Sequence, residues 1–182
     1  MDRYVAFLRG MNLGKRRIKN PELAAEFERL GFLDVATFRA SGNVIFGLEG
    51  QESAAKLTGR IEAGLGEGLG YAVPVYLRTI EEVAAISVHE AFPAKAVAAS
   101  KGKLQVQMLA EKPSAAAAKK ALALASDQDR LALEARELYW LPSGGISESE
   151  LDLKALDKAL GPGTMRTMGT VAQIAAKHCA AD

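Results

Sequence analysis

The apolar positions switch between two periods along the chain. Tyr4 to Leu8 is a short aromatic and aliphatic run closed by Gly10, the pattern of a buried strand. Along it Tyr4, Ala6 and Leu8 face one way and Val5 and Phe7 the other. A helix follows, with Asn20 as N-cap, Pro21 in its first position and Glu22 at the positive end of its dipole. Leu23, Phe27 and Leu30 share one face of it, and Gly31 supplies the left-handed stop. Val35 to Ala40 and Val44 to Phe46 read as strands joined by a tight turn at Ser41–Asn43. A second helix from about Ser53 carries Leu57, Ile61 and Leu65, while Gly59, Gly64 and Gly66 lower its propensity. Tyr71 to Arg78 is a fourth strand, and Pro74 within it demands an edge position because proline cannot donate to a ladder.

Strand, helix, strand, strand, helix, strand is the ferredoxin-like order, whose antiparallel sheet runs four, one, three, two in space. A connecting helix from Thr79 to about Val88 opens on the capping pair Thr79 and Glu82, and Ala91 to Gly102 reads as a linker. The order then repeats. Lys103 to Ala110 is a strand, Pro113 to Ala125 a helix, and Arg130 to Ala135 with Glu137 to Leu141 a hairpin. Ser149 is expected to cap a helix together with Asp152, with Leu153, Leu156 and Leu160 on its inner face; Thr164 to Arg166 is a short strand, and Thr170 to about Cys179 a final helix. The fold expected is α+β: two ferredoxin-like units at 1–78 and 103–166, a connector at 79–102 and a C-terminal helix at 167–182. The duplication rests on element order, with no residue-level repeat evident. Apolar residues on both sides of the first strand require a cover on the second face of that sheet, by the other half or by a partner chain.

Composition narrows the function classes. With 182 residues, 49% of them hydrophobic, the chain can bury a sizeable core. A net charge of +1 excludes a globally basic nucleic-acid binder, so electrostatic recognition has to come from a local patch. The lone cysteine, Cys179, forms no internal disulfide and suits a reducing cytoplasm. The opening residues lack the features of a signal peptide, and no stretch reaches the roughly 18 apolar residues that span a bilayer.

One patch stands out. In Leu8 to Lys19 the strand ends in Arg9 and Gly10, then come Lys15, Arg16, Arg17 and Lys19 with no acid among them. The expected topology brings this loop, Asn12 included, to the same sheet edge as Ser41 and Asn43. A helix N-terminus opens there with its unpaired N–H groups. Cations, a helix start and small polar side chains suit a phosphate or carboxylate. The plainer alternative is that Ser41 and Asn43 serve only the turn, Asn20 and Pro21 only the helix start, and the cations only solvation. Spaced Gly10, Gly14 and Lys15 do not make a P-loop, because Arg16 takes the place of the hydroxyl residue. His89, His178 and Cys179 have neither zinc-ligand spacing nor a triad arrangement, so no metal and no cofactor are expected. Tyr4, Phe7 and Phe46 would stack single-stranded RNA only if they faced solvent.

The chain resembles the domain of unknown function 1697 family. Similarity lies in Leu8 to Gly14, Gly31-Phe32, Ser41 to Phe46, the segment LYWLPSGGISESEL (138–151) and the block TMRTMGTV (164–171). The resemblance implies an α+β fold of ferredoxin-like units and cytoplasmic bacterial character, but no reaction. The chain departs from the family pattern at Ala40, at Leu13-Gly14-Lys15, and at Thr167-Met168-Gly169, where the family has Asn-Trp-Asn. Arg166, kept from that last block, joins the candidate set.

The expected function is binding of a small anionic ligand, a phosphate-bearing metabolite or nucleotide, through Arg9, Asn12, Lys15, Arg16, Arg17, Lys19, Ser41, Asn43 and Arg166. The alternatives are a nucleic-acid-backbone or protein-interaction module using the basic loop, and an enzyme at the same edge. Nucleic acid is not favoured as a partner, and no membrane partner is expected.

Overall fold

The structure, a computed structural model, describes residues 1–11 and 18–179. The strands and helices of the first unit are β1 (Asp2–Leu8), α1 (Asn20–Arg29), β2 (Leu33–Thr37), β3 (Asn43–Leu48), α2 (Ala54–Leu69) and β4 (Val75–Thr79). After α3 (Ile80–Val88) and α4 (Ala94–Ala99) the pattern recurs as β5 (Gln105–Leu109), α5 (Ala115–Leu122), β6 (Asp129–Glu134), β7 (Glu137–Pro142), α6 (Leu153–Leu160) and β8 (Gly163–Thr167), closed by α7 (Met168–His178). Each sheet is antiparallel and four-stranded, ordered β2-β3-β1-β4 and β6-β7-β5-β8. These are the two α+β units and the strand order that the element order predicts. The chain divides into one compact unit of Met1–Ala84 with Ile174–Asp182, and a second of Ala85–Gln173.

In the first unit Leu23 and Phe27 of α1 and Leu57, Ile61 and Leu65 of α2 close over Ala6, Leu8, Val44, Phe46 and Leu77. Phe46 is the hub: its ring lies 4.4 Å from Phe32, 5.4 Å from Phe27 and 5.7 Å from Tyr4, centroid to centroid. The opposite face of the same sheet is also buried, at Val5, Phe7, Ile45, Tyr76 and Arg78. The end of α7 reaches this second face. Arg3 Nη1 donates to the His178 carbonyl at 3.0 Å, and Phe38 meets the His178 ring edge-on. Because Phe7 and Phe46 are interior on opposite faces, they offer no stacking platform to RNA bases.

Several local expectations are corrected. Helix α1 starts at Asn20 with Lys19 as its N-cap, and Glu22 Oε2 accepts from the Lys19 N–H at 3.1 Å, so a carboxylate from inside the first turn does the capping. Pro74 precedes β4 rather than sitting within it, although β4 is an edge strand. The stretch read as a linker holds α4, because its alanines favour helix once Pro93 has set the entry. Asp152, not Ser149, caps α6, through a 2.9 Å bond from the Ala155 N–H. Leu156 of α6 is buried while Leu153 is exposed. The pairing of Thr79 and Glu82 is present in both directions, at 3.2 and 2.9 Å.

The structure also uncovers a residue-level repeat. RTIEEVAAI (78–86) and RTMGTVAQI (166–174) share Arg, Thr, Val, Ala and Ile in register, and each runs from a fourth strand into the helix after it. Arg78 lies opposite Val5, and Arg166 opposite Val106. Each arginine is buried and donates from Nη1 to the carbonyl of the residue before it, at 2.8 Å in both cases.

Two predictions follow from this packing. A Cβ at Gly64 would lie 2.3 Å from Leu30 Cδ2 and 3.0 Å from its Cγ, whereas nothing lies within 4 Å at Gly59. Gly59→Ala should therefore stabilise by about 0.5–1 kcal/mol, and Gly64→Ala should destabilise by about 1 kcal/mol once overpacking is set against propensity, as read by urea unfolding. His178 Nε2 is buried without a hydrogen-bond partner among the described residues. Burial first, then Lys177 and Arg3, push its pKa below the ordinary 6.5. The unfolded chain thus takes up this proton before the folded one does. The stability is present above about pH 6.5 and is lost as pH falls through the lower folded value. Thermal melts from pH 7 to 5.5 should show a falling Tm, with a shallower fall in His178→Gln.

Candidate functional site

The exit of β1 is tied to its neighbours on both sides. The Leu8 N–H donates to Gly42 O at 2.8 Å and the Arg9 N–H donates to Pro74 O at 3.0 Å. Arg9 is half-buried at this exit. Between β2 and β3 the connection runs from Phe38 to Gly42, wider than the three-residue turn read from sequence, with the Phe38 N–H donating to Asn43 O at 2.9 Å. Arg39 and Gly42 take left-handed φ values of 57° and 69°. A Cβ at Gly42 would meet Met11 Cγ at 2.7 Å and Leu8 Cβ at 3.0 Å. The start of the β1–α1 loop therefore packs directly on the turn, and only glycine allows both the approach and the backbone angle.

The side chains divide into those buried within the turn and those at its surface. Asn43 is 1% exposed, and its Nδ2 donates to Phe38 O and to Ser41 Oγ, each at 2.8 Å. This amide staples the turn, as the plainer reading of Ser-Gly-Asn expects. Ser41 is exposed at the tip. Lys19 is exposed at the start of α1, on a backbone that Glu22 caps. Arg39 was not among the residues singled out from sequence. It is exposed in the same turn, with its guanidinium 5.7 Å from the Phe38 ring centroid. Its only sequence signal was its place two residues before Ser41, since a left-handed arginine cannot be read from its neighbours. Asn12, Lys15, Arg16 and Arg17 lie outside the described residues.

Arg166 belongs to the second unit, on β8. Its Nη1 donates to Thr164 Oγ1 at 2.9 Å and to Met165 O at 2.8 Å. Burial brings its pKa down to about 10, so it stays protonated at neutral pH. Among the described residues no group of three or more His, Cys, Asp or Glu is placed to hold a metal ion, and no helix is long and apolar enough to cross a membrane.

Comparison with known proteins bears on the fold and the family. The chain is similar to the conserved bacterial protein SP0830 from Streptococcus pneumoniae, with a TM-score of 0.71, 19% identity, and coverage of 97% of this chain and 99% of that one. At this identity the likeness speaks for the fold alone. No curated protein matches the chain. The family described as Protein of unknown function (DUF1697) matches residues 1–139, a span that holds β1, its basic loop and the Ser-Gly-Asn turn. The chain belongs to the DUF1697 family.

Proposed function

We propose that the protein binds a small anionic ligand, bearing phosphate or carboxylate, at the edge formed by the exit of β1, the start of α1 and the turn between β2 and β3. The observation that carries this reading is the fixed approach of the β1 exit to the turn through the Leu8–Gly42 hydrogen bond and the Met11 contact. That approach gathers Arg9, Arg39 and Ser41 at one end of the sheet, next to a ten-residue helix whose first turn begins beside Lys19. Asn12, Lys15, Arg16 and Arg17 belong to the same proposal as its loop. Asn43 enters it as the residue that holds the turn, and Arg166, on β8 of the second unit, stays a candidate ligand residue of the proposal. The reading includes a cytoplasmic location, which the lone cysteine suits. Binding is proposed because cations beside a helix start recognise an anion without requiring a reaction.

Thermal shift with nucleotides, sugar phosphates and short RNAs tests the reading. A ligand at a hundred times its Kd adds about 2.7 kcal/mol, which raises Tm by several degrees in a chain of this size. The rise should appear with a phosphate-bearing compound and shrink in Arg9→Gln and in Arg16→Ala/Arg17→Ala. No rise with any anion, or one that both variants keep in full, contradicts the proposal. A backbone-only nucleic-acid contact would instead show affinity falling steeply with salt.

A further inference from the structure

We propose that the second unit carries a separate site for a small primary-ammonium compound, in a cavity of about 750 Å³ between the start of β6 and the segment after β7. Its volume lies within the usual range of small-molecule sites. Four carboxylates line it, those of Asp127, Asp129, Glu148 and Glu150, with no lysine, arginine or histidine. Leu124, Pro142 and Leu151 supply an apolar wall.

Asp129 marks where the cation would sit. The residue is 2% exposed. Its Oδ1 accepts from Trp140 Nε1 and from Ser149 Oγ, each at 2.7 Å, so the carboxylate is held in one orientation. Its Oδ2 accepts no hydrogen bond among the described residues, although Asp129 lines the cavity. That second oxygen is open to the cavity, on a carboxylate whose other oxygen is fixed by two donors, so a donor from a ligand can reach it. The surround is set in advance. Ser126 Oγ accepts from the Gln128 and Asp129 N–H groups at 3.2 and 3.0 Å, and the Ser143 N–H donates to Gln128 O at 2.7 Å. The Lys101 N–H donates to Ser143 O at 3.0 Å, and the Leu151 N–H to Ser149 Oγ at 3.0 Å.

The lining selects the ligand class. Carboxylates without a cation repel anions, so this site takes a charge opposite to that of the β1 edge. Among the described residues no three acids are placed around a metal ion. An ammonium group, with three donors on a compact charge, fits one carboxylate oxygen held in place and open to the cavity, backed by acids at the mouth. Its hydrocarbon stem would lie along Leu124, Pro142 and Leu151.

Trp140 is the chain's single tryptophan and bonds to Asp129, so its fluorescence reports the site. At low ionic strength and pH 7, n-butylamine should give a saturable change and n-butanol none. Asp129→Asn keeps the Oδ1 acceptor for Trp140 and Ser149 and should weaken the amine at least tenfold. N-acetyl-lysine amide, run in parallel, separates a free amine from a lysine side chain as the source of the ammonium. An equal response to the alcohol, no saturable response to either amine, or full affinity in folded Asp129→Asn overturns the proposal. If Asp129→Asn does not fold, Glu148→Gln/Glu150→Gln decides, since both residues are exposed. A loss of threefold or more supports the site, and retained affinity overturns it.

Discussion

The central strand β1 is apolar on both faces, and the first unit is organised around covering it twice. Leu23, Phe27, Leu57, Ile61 and Leu65 bury Ala6 and Leu8 on one side. Val5 and Phe7 are equally buried on the other, where the chain's last helix returns to set His178 against Arg3 and Phe38. Arg3 on β1 is thus bonded to His178 at the end of α7. The same demand fixes the edge where β1 leaves the sheet. A strand held between β3 and β4 has no freedom at its exit, so Arg9 leaves the sheet at a set point beside the turn that Asn43 staples.

The second unit repeats this logic with different residues. Val106 faces Arg166 as Val5 faces Arg78, and each arginine anchors itself on the carbonyl before it. A threonine then opens the following helix in both, Thr79 through Glu82 and Thr167 through Thr170. Burying a guanidinium is costly unless its donors are met, so a repeated buried arginine is a repeated structural device. The block around Arg166 carries that device here.

Most of the architecture was legible in the sequence, because periodicity and punctuation agree in it. Pro21 and Glu22 announced α1, Gly31 its end, and Thr79 with Glu82 the start of α3. What escaped depended on tertiary partners. Ser149 has the composition of a cap but donates to Asp129, a residue twenty positions earlier, leaving Asp152 to cap α6. Gly64 looked like a lapse in helix propensity and proves to be where Leu30 packs. The repeat around Arg78 and Arg166 went unseen because its matches are spaced and its meaning lies in register across the sheet. At the candidate edge, the element order predicted that the exit of β1 lies beside the turn between β2 and β3, where Leu8 is bonded to Gly42. It left Asn43 between a turn role and a ligand role, and the amide is bonded within the turn; it passed over Arg39. The cavity over Asp129 had no sequence signature, since its walls come from segments whose serines, glycines and acids read as ordinary loop.

The two proposed sites are of opposite charge and lie in different units, which makes their independence measurable. Backbone-amide NMR on one sample, titrated first with a phosphate-bearing compound and then with n-butylamine, tests this most directly. The account predicts two footprints without overlap, one around Arg9, Arg39 and Ser41 and the other around Asp129, Gly145 and Ser149. A single shared footprint, or resonances at both places that neither compound moves, would contradict it.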